Sequence, residues 1–235
     1  MYGFYYFDYT YFLFMLPALI ISIYAQIKVN STFAKYSKVK NSSGLTGAEA
    51  AYKVLAQNGV TNVSVEHIPG NLNDHFDPQT NVIRLSDSVY SSDSVAAVGV
   101  AAHEAGHAVQ HANNYAPMNI RKILVPITNI GSTLSMPLIF IGLLLPVQYD
   151  FIVNIGIALF SLAVLFQLVT LPVEFDASRR AITTLEQSGT LYNDELDGAK
   201  KVLSAAAMTY LAATFSAVMS LFRLILIAGN RRGND

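Results

Sequence analysis

Residues 101–112 read AAHEAGHAVQHA and hold three of the chain's five histidines, spaced four apart, with Glu104 directly after the first. On a helix, positions i and i+4 stack on one face about a turn apart, so His103 and His107 can both direct an imidazole nitrogen at one metal ion. Glu104 stands beside the first of them, where it can hold a water against the ion and take its proton. This is the H-E-x-x-H arrangement of zinc hydrolases, in which zinc brings the pKa of its water down to about 7 and polarises a substrate carbonyl. With five histidines and six glutamates in 235 residues, the pattern arises by chance about 0.003 times per chain. Histidines packed into a core, or a decayed site without metal, are the weaker explanations.

A catalytic zinc site ordinarily has three protein ligands and one open position, so one ligand remains to be found. His111 lies eight residues beyond His103, about 12 Å along an unbroken helix, which is too far to share its ion. The glycine break and wider spacing of the metzincin pattern are missing. His111 therefore reads as solvated or as a support for the site. The better candidate is Glu174, in LPVEFDASRRAITTLEQSG at 171–189, where Pro172 can kink the end of an apolar run. Asp176 is the rival ligand, but two residues on it faces elsewhere on a helix. The competing account of both acids is a wet first turn that complements a helix dipole.

The elements that must position these residues follow from composition. The chain is 52% hydrophobic and 13% charged with no tryptophan, which is too apolar for an ordinary soluble domain and points to a membrane protein. A net charge of −1 provides no basic stripe for nucleic acid. The absence of cysteine removes disulfides, zinc–cysteine ribbons and cysteine nucleophiles. Residues 9–27, 123–145 and 151–173 are each apolar over about the 20 residues a helix needs to cross the hydrocarbon core. The first has neither a basic leader nor a small-residue cleavage site, so it reads as a retained anchor. The second and third are joined by PVQYD and must run antiparallel. A fourth run, 205–229, contains Arg223 and either crosses with the arginine snorkelling or lies on the membrane.

Lysine and arginine are distributed unevenly: eight in 28–122, four in 174–204, none in the 146–150 turn or before residue 28. By the positive-inside rule both long segments face the cytoplasm, which puts His103 and Glu174 on one side. Arg231 and Arg232 dissent, because a fourth crossing would carry them outside. Segment 28–122 opens with a lysine-rich connector, and TGAE at 46–49 is a capping box for a helix that stops at Gly59. VTNVSVEHI and NVIRLS alternate as short strands around PGNLNDHFDPQT, a stretch dense in turn formers. After SSDS at 91–94, the motif helix runs to Asn113, Asn114 and Pro117. Its first half is apolar on every face, so other elements must enclose it, and Gly99, Ala102 and Gly106 allow a close approach.

FDPQTNVIRLSDSVYSSDSVAAVGVAAHEAGHAVQH, the paired spans, LPVEFDASRRA and ELDGAKKVLSAAAMTYLAA together closely resemble the bacterial neutral zinc metallopeptidases of the YugP type. The resemblance covers nearly the whole chain. It implies a zinc-dependent membrane peptidase with one Zn2+ ion, His103 and His107 as the motif histidines and Glu104 as the motif glutamate. A looser similarity connects the chain to membrane gluzincins of the HtpX and Ste24 kind, whose third ligand is the glutamate of an E-x-x-A-D-like helix. There Glu174 keeps the ligand place, while Ser178 stands where that wider group tends to have aspartate. Asp176 or Glu195 could then orient the motif histidine.

The expected fold is a mainly α membrane protein with three to four transmembrane helices and a small α+β zincin-like cytoplasmic domain at 28–122. Residues 174–204 form a cytoplasmic helical segment with the third ligand. By analogy with zincins, NVIRLS would be the rim to which substrate adds as a strand. His75, Tyr210, Arg179 and Arg180 are candidates to meet the oxyanion or the substrate. The partners expected are a peptide or membrane-proximal protein substrate and the lipid bilayer, with no nucleic acid, in a multi-pass protein of a bacterial cell membrane. Two other readings remain open. A di-iron bundle needs E-x-x-H twice, and Ala177 stands where the second histidine would be. A membrane adaptor with a structural zinc would keep the ligands and give Glu104 no role.

Overall fold

A computed structural model describes residues 10–232; Tyr9, the first residue of the expected anchor, lies outside them. After a π-helical turn at Tyr11–Met15, the elements are α1 (Leu16–Tyr36), α2 (Gly47–Gln57), β1 (Ser64–His67), β2 (His75–Asp77), β3 (Val82–Leu85), α3 (Val95–Ala112), α4 (Ala116–Leu144), α5 (Asp150–Gln187) and α6 (Asn193–Arg232). The protein is mainly helical, and among the described residues four stretches, Tyr11–Tyr36, Ala116–Leu144, Val147–Gln187 and Asn193–Arg231, are long and apolar enough to cross a membrane. Two helices outrun the expected spans. α5 passes through Pro172 and Glu174 without a break, and α6 includes both the 193–204 stretch and the whole fourth apolar run.

The described residues form two compact units. One contains Arg121–Val169 with the chain up to Tyr24 and from Tyr210 onward. Its exposed side chains include Leu19, Ile20, Ile130, Phe140, Phe151 and Leu168, a surface that water would penalise and lipid would not. Within this unit α4 and α5 touch through small residues, as membrane helices do: a Cβ on Gly156 would stand 2.6 Å from Ile139 Cγ1. Ser22 and Ser216 bring their hydroxyls to 3.2 Å between α1 and α6, and the Arg223 guanidinium lies over the Tyr11 ring at 5.3 Å. At the far end of α6, Arg231 donates to the carbonyl of Gly142 at 2.7 Å and to that of Leu145. Its Nε is 3.5 Å from Asp150. Of the two dissenting arginines, Arg231 thus pairs with Asp150 and caps the last turn of α4.

The other unit contains Ala25–Ile120 and Thr170–Thr209. Its core packs α2 and α3 with Val65, Ile83 and Leu85 of the sheet and with Ala181, Leu185, Leu196 and Ala199 of α5 and α6. α2 starts in the expected capping box, with Thr46 N–H donating to Glu49 at 2.8 Å and Glu49 N–H donating to Thr46 Oγ1 at 3.3 Å. It ends before Gly59, whose φ of +69° lies in the left-handed region that favours glycine. Ser94 caps α3 by accepting from Ala97 N–H. Val95 to Val98 are fully buried, as a helix apolar all round requires.

The sheet order is β1-β3-β2, with β1 parallel and β2 antiparallel to β3. Two sequence expectations change here. The turn-rich stretch contains a strand, β2, because His75, Phe76 and Asp77 pair with Arg84, Ile83 and Val82. The NVIRLS strand is also central, with both of its edges taken, so it has no free edge for a substrate. Both β2 and β3 pack against α3, and on β2 the Phe76 ring meets that of His111 at 5.8 Å.

Candidate metal centre

α3 and the part of α5 from Thr170 onward, both in the second unit, build the centre. α3 carries His103 and His107 one turn apart, with ring centroids separated by 4.6 Å. α5 carries Glu174 and, one turn later, Ser178. The helices approach at Gly106, where a Cβ would stand 2.6 Å from the carbonyl oxygen of Ala177. Any side chain there would push α3 away from α5 and separate the two halves of the site.

Glu174 Oε2 lies 3.2 Å from His103 Nε2 and 3.5 Å from His107 Nε2. One donor atom from each of the three residues lies within 4.8 Å of the others. Glu174 and His107 are buried and His103 is partly so. Glu104 is 9% exposed. Burial alone would depress the His107 imidazole, but the carboxylates of Glu174 and Glu104 outweigh it and raise its pKa above the ordinary value. Burial, with a contribution from Glu104, also raises Asp74, which accepts from the backbone N–H of Ser86 at 2.7 Å.

The comparison with known proteins can now be set beside this geometry. The sequence model of the family described as "putative neutral zinc metallopeptidase" matches residues 11–229. The chain belongs to this family. It is also 46% identical, over 220 residues, to the "putative membrane protease YugP" of Bacillus subtilis (strain 168), across 94% of this chain and 97% of that protein. No solved structure matches it. With four apolar helices and a membrane protease as relative, this member of the neutral zinc metallopeptidase family is a membrane protein.

The donor set suits the metal in the family's name. Tetrahedral zinc with ligands at about 2.0–2.1 Å places neighbouring donor atoms roughly 3.3 Å apart, and the separations from Glu174 to the two imidazoles are 3.2 and 3.5 Å. Two imidazoles and one carboxylate leave a fourth position open, as catalytic zinc sites do. The ring nitrogens facing away from the centre also have partners. His103 Nδ1 is 3.0 Å from Ser178 Oγ, and His107 Nδ1 is 3.1 Å from Gln110 Oε1.

Other residues singled out in the sequence occupy different places. Asp176 faces away from the donor cluster and accepts from Gln110 Nε2 at 2.9 Å, from Arg180 Nε at 2.5 Å and from Arg179. Both arginines are drawn to that carboxylate, and Arg180 also lies over the Tyr115 ring at 5.7 Å. His75 sits on β2 with Nδ1 2.9 Å from the carbonyl of Asn73. Tyr210 belongs to the other unit, where its carbonyl accepts from Thr214. Glu195 accepts from the N–H and hydroxyl of Ser42, so it does not orient either motif histidine. Ser178 itself does what Asp176 or Glu195 was expected to do for His103. Gln110 carried no signal beyond its place one turn after His107 on the same helix.

Proposed function

We propose that the chain is a membrane peptidase in which His103, His107 and Glu174 hold one zinc ion and Glu104 is the general base. The observation that carries this reading is the convergence of three donor atoms within 4.8 Å of one another, with Glu174 at 3.2 and 3.5 Å from the two imidazoles, beside a buried glutamate. When bound, zinc lowers the pKa of water at the open position to about 7 and polarises a substrate carbonyl. Glu104 takes a proton from the attacking water as its oxygen bonds to the carbonyl carbon. As the C–N bond breaks, the same carboxyl passes that proton to the leaving amine. Low exposure of Glu104 keeps bulk water from competing for the proton.

The unit that holds the centre is read as a small zincin-like domain on the cytoplasmic side, because 12 of the chain's 15 lysines and arginines lie in 28–122 and 174–204. Substrate would add as an extended segment to the outer edge of β2, whose Phe76 meets His111 of α3. Peptides and membrane-proximal or unfolded protein segments are the substrates this arrangement suits, in the cell membrane of a bacterium.

The test is cleavage of an unfolded protein by the detergent-purified chain, wild type against Glu104→Gln, with zinc content measured in both. Cleavage by wild type alone, with about one zinc in each, is the expected result. Cleavage that survives Glu104→Gln would remove the glutamate from its role. Bound zinc without cleavage in either would favour an adaptor with a structural metal.

A further inference from the structure

Gln110 is completely buried, and its three polar neighbours admit one orientation of its amide. Nε2 lies 2.8 Å from the carbonyl oxygen of Val173 and 2.9 Å from Asp176 Oδ2. Both of these atoms accept, since a carbonyl has no proton to give and Asp176 is held between the guanidinium groups of Arg179 and Arg180. An amide turned the other way would press its oxygen against two other acceptors, a carbonyl and a carboxylate, and would waste its own donors, which costs a buried site heavily. Nε2 must therefore face α5, and Oε1 must face His107.

We infer that Gln110 is a positioning residue that fixes the tautomer of His107. An amide oxygen only accepts, so the imidazole nitrogen 3.1 Å from it, Nδ1, has to carry the proton. The lone pair of the neutral ring is then on Nε2, the nitrogen 3.5 Å from Glu174 Oε2 and directed into the donor cluster. One side chain thus ties together a ligand on α3, the backbone of α5 just before Glu174, and the Asp176–arginine group. Ser178 does not do the same for His103: a hydroxyl both donates and accepts, so it tolerates either tautomer. Of the two imidazoles, only His107 is set in advance for metal by its neighbour.

This inference rests on the zinc-site reading, and two measurements separate their failures. The first is 15N NMR of the histidine-labelled, zinc-loaded wild type in detergent, where only five imidazoles contribute. Zinc on Nε2 of His107, with a slowly exchanging proton on Nδ1, is expected; zinc on Nδ1 would overturn the inference. The second is zinc affinity by chelator competition for Gln110→Met, which preserves bulk and removes every hydrogen bond. Loss of orientation predicts affinity about 10–100-fold weaker than wild type, whereas affinity within about twofold overturns the tautomer role and leaves the zinc site standing. Gln110→Glu should be as damaging, since its carboxylate meets that of Asp176. Adding Asp176→Asn, which supplies a donor, should recover much of the loss, a rescue that a space-filling residue would not show. If Gln110→Met fails to fold, the nitrogen assignment in wild type decides alone. A wild type that takes up no zinc overturns the metal-site reading, and this inference with it.

Discussion

Gly106 and Ala177 are so close that a methyl group on the glycine would stand 2.6 Å from the alanine's carbonyl oxygen. This contact holds the histidine-bearing face of α3 against the face of α5 that carries Glu174. Gly106→Ala should cost about 1–3 kcal/mol through overpacking and weaken zinc binding in the protein that still folds. Thermal melting and chelator competition on one preparation would check both effects. An unchanged melting temperature would mean that the helices have room to give.

Glu174→Ala and Asp176→Ala should part company in metal content. The first removes a donor atom, and zinc retained after dialysis should drop well below one per chain. The second leaves all three donors and disturbs only Gln110 and the two arginines, so zinc should remain with a weakened affinity. Elemental analysis after equilibration against buffered zinc distinguishes the two, and equal losses would point to Asp176 as a ligand.

Ser178→Ala leaves His103 Nδ1 without its partner. A several-fold weakening of zinc is expected, milder than for Gln110→Met because the hydroxyl does not choose a tautomer. Ser178→Asp should restore or exceed wild-type affinity, since a carboxylate there accepts from the same nitrogen more strongly. Affinity worsened by the aspartate would show that the site tolerates no further negative charge.

The raised pKa of His107 has a sign that can be tested in metal-free protein. An imidazole that holds its proton more tightly folded than unfolded stabilises the fold fully below the unfolded value of about 6.5. That contribution disappears as pH rises through the raised folded value. Metal-free protein should therefore lose stability over this window, whereas zinc affinity should climb over the same window because the ion needs the deprotonated nitrogen. Melting curves from pH 5 to 9, with and without zinc, should diverge as pH increases, and His107→Asn should flatten the metal-free curve.

How much of this could be read in advance depended on the range of each signal. The two histidines and Glu104 are local, since helical spacing alone stacks His103 on His107 and the glutamate directly follows the first. Glu174 was reachable because span order and the placement of lysine and arginine set it on the same side as His103, which does not require knowing the packing. The strand order was not legible: β3 follows β2 and precedes α3 in the chain, yet pairing inserts it between β1 and β2. β2 itself was hidden because His75, Phe76 and Asp77 sit among turn formers and make a strand only through their partners on β3. Gln110 was missed for a related reason. Glutamine has little motif weight, and its acceptors on α5 lie 63 and 66 residues downstream. The unbroken lengths of α5 and α6 were not legible because Pro172 reads as a kink at the end of the third span and 174–204 as one separate helical segment, whereas α5 carries the proline inside it to Gln187 and α6 runs on from Asn193.

Glu174 is synthesised 71 residues after His103, and between them the ribosome must make α4, the turn and most of α5. The donor set is therefore incomplete throughout that interval. On the reading proposed above, a nascent chain acquires its zinc, and with it the capacity to cut, only after two apolar helices have emerged and been placed in the bilayer. Biosynthesis itself would then delay activity, so that newly made copies are harmless to other emerging chains until their own insertion is complete.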